Sequence, residues 1–585
     1  MRPISALPAA FCAAIGLSAA TPAAWADSPV VIDGPDQTLR QALLDLLPDR
    51  DRPTTLFEAE RIAEEAAARA SLWLRSEGYY AAQVTPETNE AQARLVIAPG
   101  ARFRFAPPQI QFDGEAPGQA AADAARQALG RVREAAPARA ADVFDAQAGA
   151  LAALQQAGYA DAEAGERHVV VDHALALVIA EFRFRAGALI HLGEVRADRA
   201  APFRPSFIDT LRNWEVGSIY TPRALARLRR DMTSTGAASR AATRLGPPDA
   251  EGVRDVVLDI EPARRNSTEM GLGYSTTEGP GIEAQWTRRN FSGRADALTI
   301  AATLGEIQQS VSVALTRPHA AGLGHALSFA VSAEREAPAA YTRQGVALHT
   351  SVDASSRLRV SRSYGVSLSA DAFDNFAGGV SNALVLSSFA NLRNDSTEFS
   401  LDPRDGSLVE FRVEPSVSTG DATLGFVRAT AEARVYESFS DDETLTLAAR
   451  LRAGWLEAVA GAADDVPPDR RFYAGGGGSV RGYGYNSIYP PERGLAGLSP
   501  GGQGLLEGSL EVRWRFGAQL GAAAFVDGGA AFDHWRDAGD VSWGAGIGAR
   551  YDLGFAPLRI DIAFPLDDSQ AAPDYALYIS LGQAF

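Results

Sequence analysis

From about residue 266 to the last residue, apolar and polar side chains alternate in short segments separated by Gly, Asp, Asn and Pro turns. Alternation with a period of two is typical of β-strands, and the helical periodicity of the preceding residues disappears here. The pattern predicts sixteen strands, an even number: residues 268–275, 281–289, 297–306, 309–317, 325–334, 342–352, 365–373, 383–392, 407–415, 424–436, 444–456, 505–515, 520–532, 542–551, 558–564 and 575–585.

The spacing of these segments favours a transmembrane β-barrel. The region holds 585 − 265 = 320 residues, so each strand with its connection has 320/16 = 20. Strands of ~9–11 residues with their turns and loops fill that length. After residue 26 no apolar run approaches the ~20 residues of a spanning helix, so the mature chain is either soluble or crosses a membrane as a barrel. A soluble β-solenoid or sandwich is the alternative.

The first 26 residues have the pattern of a secretory signal peptide. Arg2 supplies a positive charge, residues 9–20 form a short apolar segment, and Ala24-Trp25-Ala26 is a small-x-small cleavage site. Cleavage after Ala26 would remove Cys12, the single cysteine of the chain. We therefore expect a mature protein without cysteine, which suits an oxidising compartment.

A repeat of about 80 residues organises the segment between the signal peptide and the strands. Gly78, Gly158 and Gly236 each end a helix-patterned stretch, where glycine suits a left-handed C-cap, and strand-like sequence follows. The spacings are 158 − 78 = 80 and 236 − 158 = 78 residues. The repeat predicts three β-α-α-β-β modules, residues 27–102, 103–186 and 187–265, with residues 266–585 as the barrel. The exposed sheet edges of such modules could pair with an extended segment of a partner; rigid spacers are the alternative.

A Gly-rich stretch, residues 471–490 (RFYAGGGGSVRGYGYNSIYP), lies between the eleventh and twelfth predicted strands. Four consecutive glycines allow a loop to fold into a confined space. The guanidinium of Arg481 stays protonated, so inside a confined space this cation is stable only when carboxylates lie beside it. The stretch lacks the G-x-x-x-x-G-K-[ST] of phosphate-binding loops and the G-x-S-x-G of hydrolases. A surface loop is the alternative interpretation.

Val480-Arg481-Gly482-Tyr483 resembles the (V/I)-R-G-(F/Y) motif of the sixth external loop in the POTRA-barrel superfamily, which includes BamA, TamA and two-partner secretion transporters. With residues 472–476 and 484–488, it is most similar to the TamA branch, the outer-membrane subunits of translocation and assembly modules. The resemblance implies that loop 6, about residues 460–503, folds into the barrel. It also implies that Glu511 and Asp527, in the next two strands, hold Arg481.

The resemblance further implies a lateral seam between the first and last strands. Gly271 and Gly273 would weaken pairing in the first strand, and Gly582, beside Leu581, would do so in the last. A glycine more often marks a bulge or kink, so an opening seam is one of two interpretations. The C-terminal residues resemble the β-signal of barrel proteins, with Tyr578, Leu581 and Phe585 as its elements and Gln583 as a departure from its apolar face.

The function implied by the resemblance is assembly or insertion of outer-membrane β-proteins such as autotransporters. The barrel would lie in the cell outer membrane and the modules in the periplasm, where a TamB-like inner-membrane protein would dock. Nascent outer-membrane proteins and membrane lipid would be the other partners. A BamA-type insertase would carry five modules and a two-partner secretion pore two, with a plug helix; a passive porin is a further alternative.

Catalytic chemistry is not expected of this chain. Its net charge of −17 argues against a nucleic-acid partner. The seven histidines form no metal-binding motif, and a mature chain without cysteine has no thiol chemistry. We therefore expect no enzyme activity, no cofactor and no metal.

Overall fold

The computed structural model describes residues 30–585 except 49, 90–91, 198–200, 356–358, 375–379, 400, 440–443, 491–492, 494–499, 518 and 568–571. The predicted signal peptide lies outside the described residues. The chain divides into two compact units: the residues up to 192 together with 217–222, and residues 193–216 together with 223–585. Among the described residues, no helix combines the length and the apolar character that a membrane crossing requires.

The first unit begins with a three-stranded sheet covered by two helices. Its elements are β1 (Val30–Asp33), α1 (Gln37–Leu46), α2 (Leu56–Ser76), β2 (Gln83–Asn89) and β3 (Gln92–Ala98), with sheet order β1-β3-β2. The Thr55 hydroxyl accepts the N–H of Glu58 and caps α2. Alternate residues of β3 are buried against one face of α2, and together they form a small core.

A second sheet with two helices follows in the same unit. Its elements are β4 (Arg104–Phe105), β5 (Gln109–Phe112), α3 (Gln119–Gln127), α4 (Ala140–Gln156), β6 (Glu163–Ala164), β7 (His168–Asp172) and β8 (Leu177–Arg185). β8 is central, parallel to β4 and β5 and antiparallel to β6 and β7. Its inward residues Val178, Ala180, Phe182 and Phe184 are buried in the core of this part.

A third sheet precedes the barrel. Its elements are β9 (His191–Ala197), α5 (Pro205–Thr210), β10 (Ser218–Ile219), α6 (Pro222–Thr233), β11 (Ala238–Pro248) and β12 (Val253–Pro262), with sheet order β10-β9-β12-β11. The three predicted left-handed glycines are confirmed: the φ angles of Gly78, Gly158 and Gly236 are +96°, +108° and +69°. Gly78 and Gly158 directly follow the C-caps of α2 and α4, whereas α6 ends at Thr233, three residues before Gly236.

Residues 266–585 form a closed antiparallel barrel of sixteen strands, as the alternation predicted. The strands are β13 (Asn266–Ser275), β14 (Gly279–Arg289), β15 (Ala297–Gly305), β16 (Gln308–Arg317), β17 (His325–Glu336), β18 (Thr342–Ser355), β19 (Val360–Asp374), β20 (Asn382–Asp395), β21 (Gly406–Gly420), β22 (Leu424–Ser438), β23 (Leu445–Ala460), β24 (Gly504–Phe516), β25 (Leu520–Phe532), β26 (Ser542–Asp552), β27 (Pro557–Pro565) and β28 (Ala576–Leu581).

The two faces of the barrel wall differ in polarity. Neighbouring outward positions such as Ile300, Val313 and Val331 are in register and exposed. Inward positions such as Glu511 and Asp527 are charged and fully buried. An apolar exterior around a polar interior is the pattern of a barrel surrounded by lipid.

The barrel end that contains residue 266, here called the near end, contacts residues just before α5 and one residue of α6. The side-chain amide of Asn290 donates to the carbonyl of Pro202 at 2.8 Å, and the N–H of Arg204 donates to the carbonyl of Gly293 at 2.8 Å. The His319 Nε2 lies 2.8 Å from the Asp231 carbonyl oxygen. The turns after β14 and β16 are therefore hydrogen-bonded to Pro202, Arg204 and Asp231 of the same compact unit.

The predicted extent of the last strand is wrong at its end. β28 stops at Leu581, whereas the alternation predicted a strand through Phe585. Gly582 has φ +85°, which an extended strand does not allow, and it turns the last residues out of the wall.

Candidate functional site

Loop 6 connects β23 to β24, and its motif residues lie inside the barrel. Its residues Val480, Arg481 and Tyr483 are buried. Gly475 and Gly476 have φ angles of +101° and +109°, so side chains are disfavoured where the loop doubles back. The sequence thus allows the loop to present the Arg481 side chain to the barrel wall.

The Arg481 guanidinium meets the two predicted carboxylates. Its Nε lies 2.7 Å from Asp527 Oδ2 and its Nη2 lies 3.0 Å from Asp527 Oδ1, a bidentate contact. Its Nη1 lies 2.7 Å from Glu511 Oε2. The guanidinium carbon also lies 3.4 Å from the centre of the Phe525 ring, so one face of the cation stacks on an aromatic wall residue.

The sequence analysis missed a third carboxylate and two further arginines at this site. Asp561, on β27, lies 3.3 Å from Arg481 Nη1. Arg550 contacts Asp561 at 2.5 Å and Glu511 at 3.3 Å, and Arg513 contacts Glu511 at 2.9 Å. We call these six residues, Arg481, Glu511, Arg513, Asp527, Arg550 and Asp561, the clamp. Arg550 and Asp561 lie at inward positions of β26 and β27. Many other charged residues of the barrel share this parity, so the sequence did not single these two out.

The charges of the clamp alternate, which compensates for its burial. The side chains of Glu511, Asp527 and Asp561 are fully buried, and that of Arg481 is 2% exposed. An isolated charge in such a place would cost several kcal/mol, whereas an alternating cluster with short hydrogen bonds satisfies most donors and acceptors. The clamp therefore fixes the loop to β24, β25 and β27 at once.

The remaining motif residues attach the loop to the last strands. The N–H of Gly482 donates to the Tyr578 hydroxyl at 3.1 Å, and a Cβ on Gly482 would lie 2.9 Å from the backbone nitrogen of Pro565. The Tyr483 hydroxyl donates to Asp567 at 2.9 Å. Only glycine fits at position 482, because the loop backbone touches the wall there.

A second anchor, which the sequence did not reveal, holds the start of the loop. Arg470 lies between Asp371 and Glu414, at 3.7 and 3.8 Å. Arg343, on β18, lies 3.4 Å from Asp469 and 2.9 Å from Asp371. Loop 6 is therefore held on opposite walls, at β18–β21 and at β24–β27.

The seam between β13 and β28 is the shortest strand pairing in the barrel. It is in register at three positions, Gly273 with Ser580, Tyr274 with Ile579, and Ser275 with Tyr578, whereas β13 and β14 pair over ten. Gly273 lies in the paired part of the seam, but Gly271 lies outside it. Leu581 pairs with Leu558 of β27 and not with β13.

A cavity of about 420 Å³ opens beside the seam. It is lined by Gly271, Gly273, the loop glycines Gly477 and Gly478, and Ser580. Several of the lining residues are glycines, so an extended segment can approach the backbone of β13 closely.

The last four residues fold into the barrel instead of continuing β28. The N–H of Gln583 donates to the Leu401 carbonyl at 2.9 Å, in the turn between β20 and β21. The Phe585 carbonyl accepts from Arg513 at 3.1 Å, and its ring packs against Tyr436.

The predicted β-signal residues therefore do not share a face. Tyr578 is buried and hydrogen-bonded to loop 6, Leu581 ends the strand, and Phe585 is buried among inward residues of the opposite wall. Gln583, which departs from the apolar pattern, accepts from Arg550 at 2.8 Å and donates to Asp402 at 2.9 Å. The polar side chain of Gln583 finds hydrogen-bond partners because the last four residues lie in the polar interior of the barrel.

The clamp, the short seam and the glycine-lined cavity suit the binding of a polypeptide segment and the movement of a strand. In the part of the chain that the structure describes, no three His, Cys, Asp or Glu side chains are grouped to hold a metal ion. Glycine-rich backbone and an incompletely paired strand can bind an extended peptide through main-chain hydrogen bonds.

Comparison with known proteins agrees with this architecture. The Omp85 superfamily domain matches residues 290–585. The outer membrane protein assembly factor BamA of Nitratidesulfovibrio vulgaris is 24% identical over 396 residues, which are 63% of this chain and 48% of that protein. The chain thus spans about half the length of this relative. The crystal structure of BamA from Haemophilus ducreyi lacking POTRA domains 1–3 covers 82% of this chain and 100% of that chain, with a TM-score of 0.65 at 16% identity.

Proposed function

The chain belongs to the Omp85 superfamily, and from this premise we propose that it is an outer-membrane assembly factor that inserts or translocates β-barrel proteins such as autotransporters. Client strands would pair with the edge of β13 when the seam to β28 opens. The short register of the seam, three positions against ten on the other side of β13, is the observation that carries the proposal.

The physical basis is the cost of an unpaired strand edge in lipid. Residues 266–272 of β13 have no register partner on β28 in the described chain. Each backbone N–H or C=O that lacks a hydrogen bond in hydrocarbon costs several kcal/mol. A client strand that supplies donors and acceptors to this edge removes the cost, which favours its transfer from the periplasm.

The clamp would keep the rest of the barrel closed while the seam opens. Arg481 links β24, β25 and β27 through Glu511, Asp527 and Asp561. Separation of β28 from β13 leaves these contacts intact, because neither strand carries a clamp residue. The barrel can therefore open along one line without losing loop 6.

We assign the three small sheets and their helices to three POTRA modules, residues 27–102, 103–186 and 187–265, located in the periplasm. The element order of the first is β-α-α-β-β, and short extra strands interrupt that order in the other two. A TamB-like inner-membrane protein would dock on an exposed sheet edge, as at β2 or β7. Three modules favour a TamA-type factor over a BamA-like core insertase with five or a two-partner secretion pore with two.

A disulfide lock across the seam tests the proposal. Gly273→Cys with Ser580→Cys places two cysteines at a registered pair, and the predicted mature chain contains no other cysteine. The oxidised protein should lose client assembly in proteoliposomes, and a reductant should restore it. Full activity of the oxidised form would contradict seam opening.

A matched pair on another hairpin controls for the cross-link itself. Ser312→Cys with Ser332→Cys joins β16 to β17 at inward positions that are also in register. This lock should leave client assembly unchanged.

Single-channel conductance tests the alternative that the protein is a passive porin. A large, steady pore in the intact protein would favour passive transport.

A further inference from the structure

Five arginines lie at the near end of the barrel, in or beside strands β13, β14 and β16. Arg264 and Arg265 precede β13 and are exposed, and Arg294 is exposed in the turn after β14. Arg288 is the last outward-facing residue of β14, and Arg317 is the last outward-facing residue of β16. We call Arg264, Arg265, Arg288, Arg294 and Arg317 the arginine patch. It stands out in a chain of net charge −17.

The strand register shows that Arg288 and Arg317 point away from the barrel interior. Trp286 is in register with Ile300, which is exposed on the apolar outer surface, and Arg288 follows Trp286 by two residues. Leu315 is in register with the exposed Phe329, and Arg317 follows Leu315 by two. Side chains two apart on a strand share a face. Both arginines therefore lie at the margin of the apolar outer surface.

The patch lacks anionic partners in the protein. In the part of the chain that the structure describes, no carboxylate oxygen lies within 4.0 Å of these five guanidinium groups. The Nε groups of Arg288 and Arg317 are buried and have no hydrogen-bond acceptor among the described residues. The clamp arginines Arg481, Arg513 and Arg550, by contrast, each contact three or four carboxylate or carbonyl groups. The arginine patch therefore has more guanidinium N–H donors than the described protein groups accept.

We propose that the arginine patch binds the phosphate groups of anionic phospholipids in the periplasmic leaflet, beside the seam. Guanidinium groups donate in a planar fork that matches a phosphate. At the margin of an apolar belt the molecules available to outward side chains are lipid headgroups. An aromatic neighbour supports this depth: Phe291 is 46% exposed and lies under the Arg288 guanidinium at 5.9 Å.

Hydrogen bonds fix the position of the arginine patch relative to the chain segment before the barrel. Asn290 and Gly293, in the same turn as Arg294, are hydrogen-bonded to Pro202 and Arg204. Bound headgroups would therefore fix the leaflet relative to the first strands while β28 moves. The inference rests on the outer-membrane location in the proposed function, but not on client pairing.

Lipid selectivity of the full-length protein tests the inference. The protein is reconstituted in phosphatidylcholine vesicles that contain trace spin-labelled phosphatidylglycerol or spin-labelled phosphatidylcholine, and the immobilised fraction of each label is measured. We expect a several-fold preference for phosphatidylglycerol that declines with added salt. Arg288→Gln with Arg317→Gln should remove most of this preference, since one arginine near an anionic lipid surface contributes up to roughly fivefold.

Two further double variants control for the loss of charge and for misfolding. Arg61→Gln with Arg133→Gln removes the same charge from exposed, unpaired arginines of the described first unit and should keep the selectivity. Arg264→Gln with Arg265→Gln lies outside the strands, so it tests the patch even if the strand variants fail to fold. Heat-modifiable migration reports folding in every case.

Three results would overturn the inference. The first is no preference in the unaltered protein, and the second is an equal loss in the Arg61 and Arg133 control. The third is loss of the unaltered protein's preference when inorganic phosphate is added at the concentration of the lipid phosphate. The assay contains no client, so its failure would leave the seam proposal standing. Failure of the disulfide test would likewise leave the lipid result unchanged.

Discussion

The clamp and the seam are neighbouring parts of one barrel wall with opposite construction. At the clamp, three fully buried carboxylates on β24, β25 and β27 surround the Arg481 guanidinium. At the seam, next to β27, strands β28 and β13 meet at three positions beside a glycine-lined cavity. A barrel that opens at one line, as proposed above, would need both: strong ionic contacts that keep the loop and wall together, and a pairing weak enough to separate.

The largest effect should follow from removal of the clamp cation. Arg481→Ala would leave Glu511, Asp527 and Asp561 buried around an empty position, at a cost of about 3–5 kcal/mol. Heat-modifiable migration and chemical unfolding in detergent should show the loss, and client assembly should fall with it. Arg393→Ala, which removes a half-exposed arginine paired with Asp395, should cost about 0–1 kcal/mol. Equal stability of the two variants would show that the clamp does not hold the barrel.

A smaller loss is expected at the carboxylate that the sequence analysis missed. Asp561→Asn keeps the shape of the side chain but weakens its contacts with Arg550 at 2.5 Å and Arg481 at 3.3 Å. We expect about 1.5–3 kcal/mol of destabilisation in the same unfolding measurement. A double variant with Arg550→Gln should lose less than the sum of the two single variants, because the residues share a contact. Additive losses would contradict a coupled cluster.

The turn at Gly582 tests the seam side of the comparison. Gly582→Ala forces an L side chain into φ +85°, which costs about 1–2 kcal/mol, and its Cβ would lie 3.3 Å from the Leu401 carbonyl oxygen. The terminal residues should leave the interior, and limited digestion with a carboxypeptidase should then remove Phe585 faster than in the unaltered protein. Unchanged digestion would show that the buried tail does not depend on this turn.

The smallest effect should have the opposite sign. Gly273→Ala adds a Cβ that would lie 3.7 Å from the Ile579 carbonyl oxygen, an ordinary contact, and favours the extended backbone by about 0.5–1 kcal/mol. The seam should become slightly more stable and client assembly slightly slower. Gly281→Ala, at the partner position on β14, is the matched control and should leave client assembly unchanged.

The comparison also shows what the sequence can predict. Alternation revealed all sixteen strands because a wall with lipid outside and charge inside repeats every two residues. The contact of Arg481 with Glu511 and Asp527 was predictable from a resemblance in nearby residues. Asp561 was not, since many inward acids have the same parity and only the closed barrel brings β27 to the loop.

Long-range contacts also explain the error at the C-terminus. Leu581 and Phe585 fit the local alternation, so the pattern predicted a strand to the last residue although Gln583 interrupts its apolar face. The positive φ of Gly582 and the hydrogen bonds from Arg513 and Arg550, on other strands, draw these residues into the interior. Local sequence carries no information about donors that lie 33 and 72 residues away.

Amide hydrogen exchange of the intact protein in lipid nanodiscs tests the central claim most directly. The seam-facing amides of β13 over residues 266–272 should exchange at least roughly tenfold faster than the amides of β24, because the former have no partner strand in the described chain and the latter are paired on both sides. Equal protection of the two strands would contradict the account, since it would mean that the seam is closed as firmly as the clamped wall.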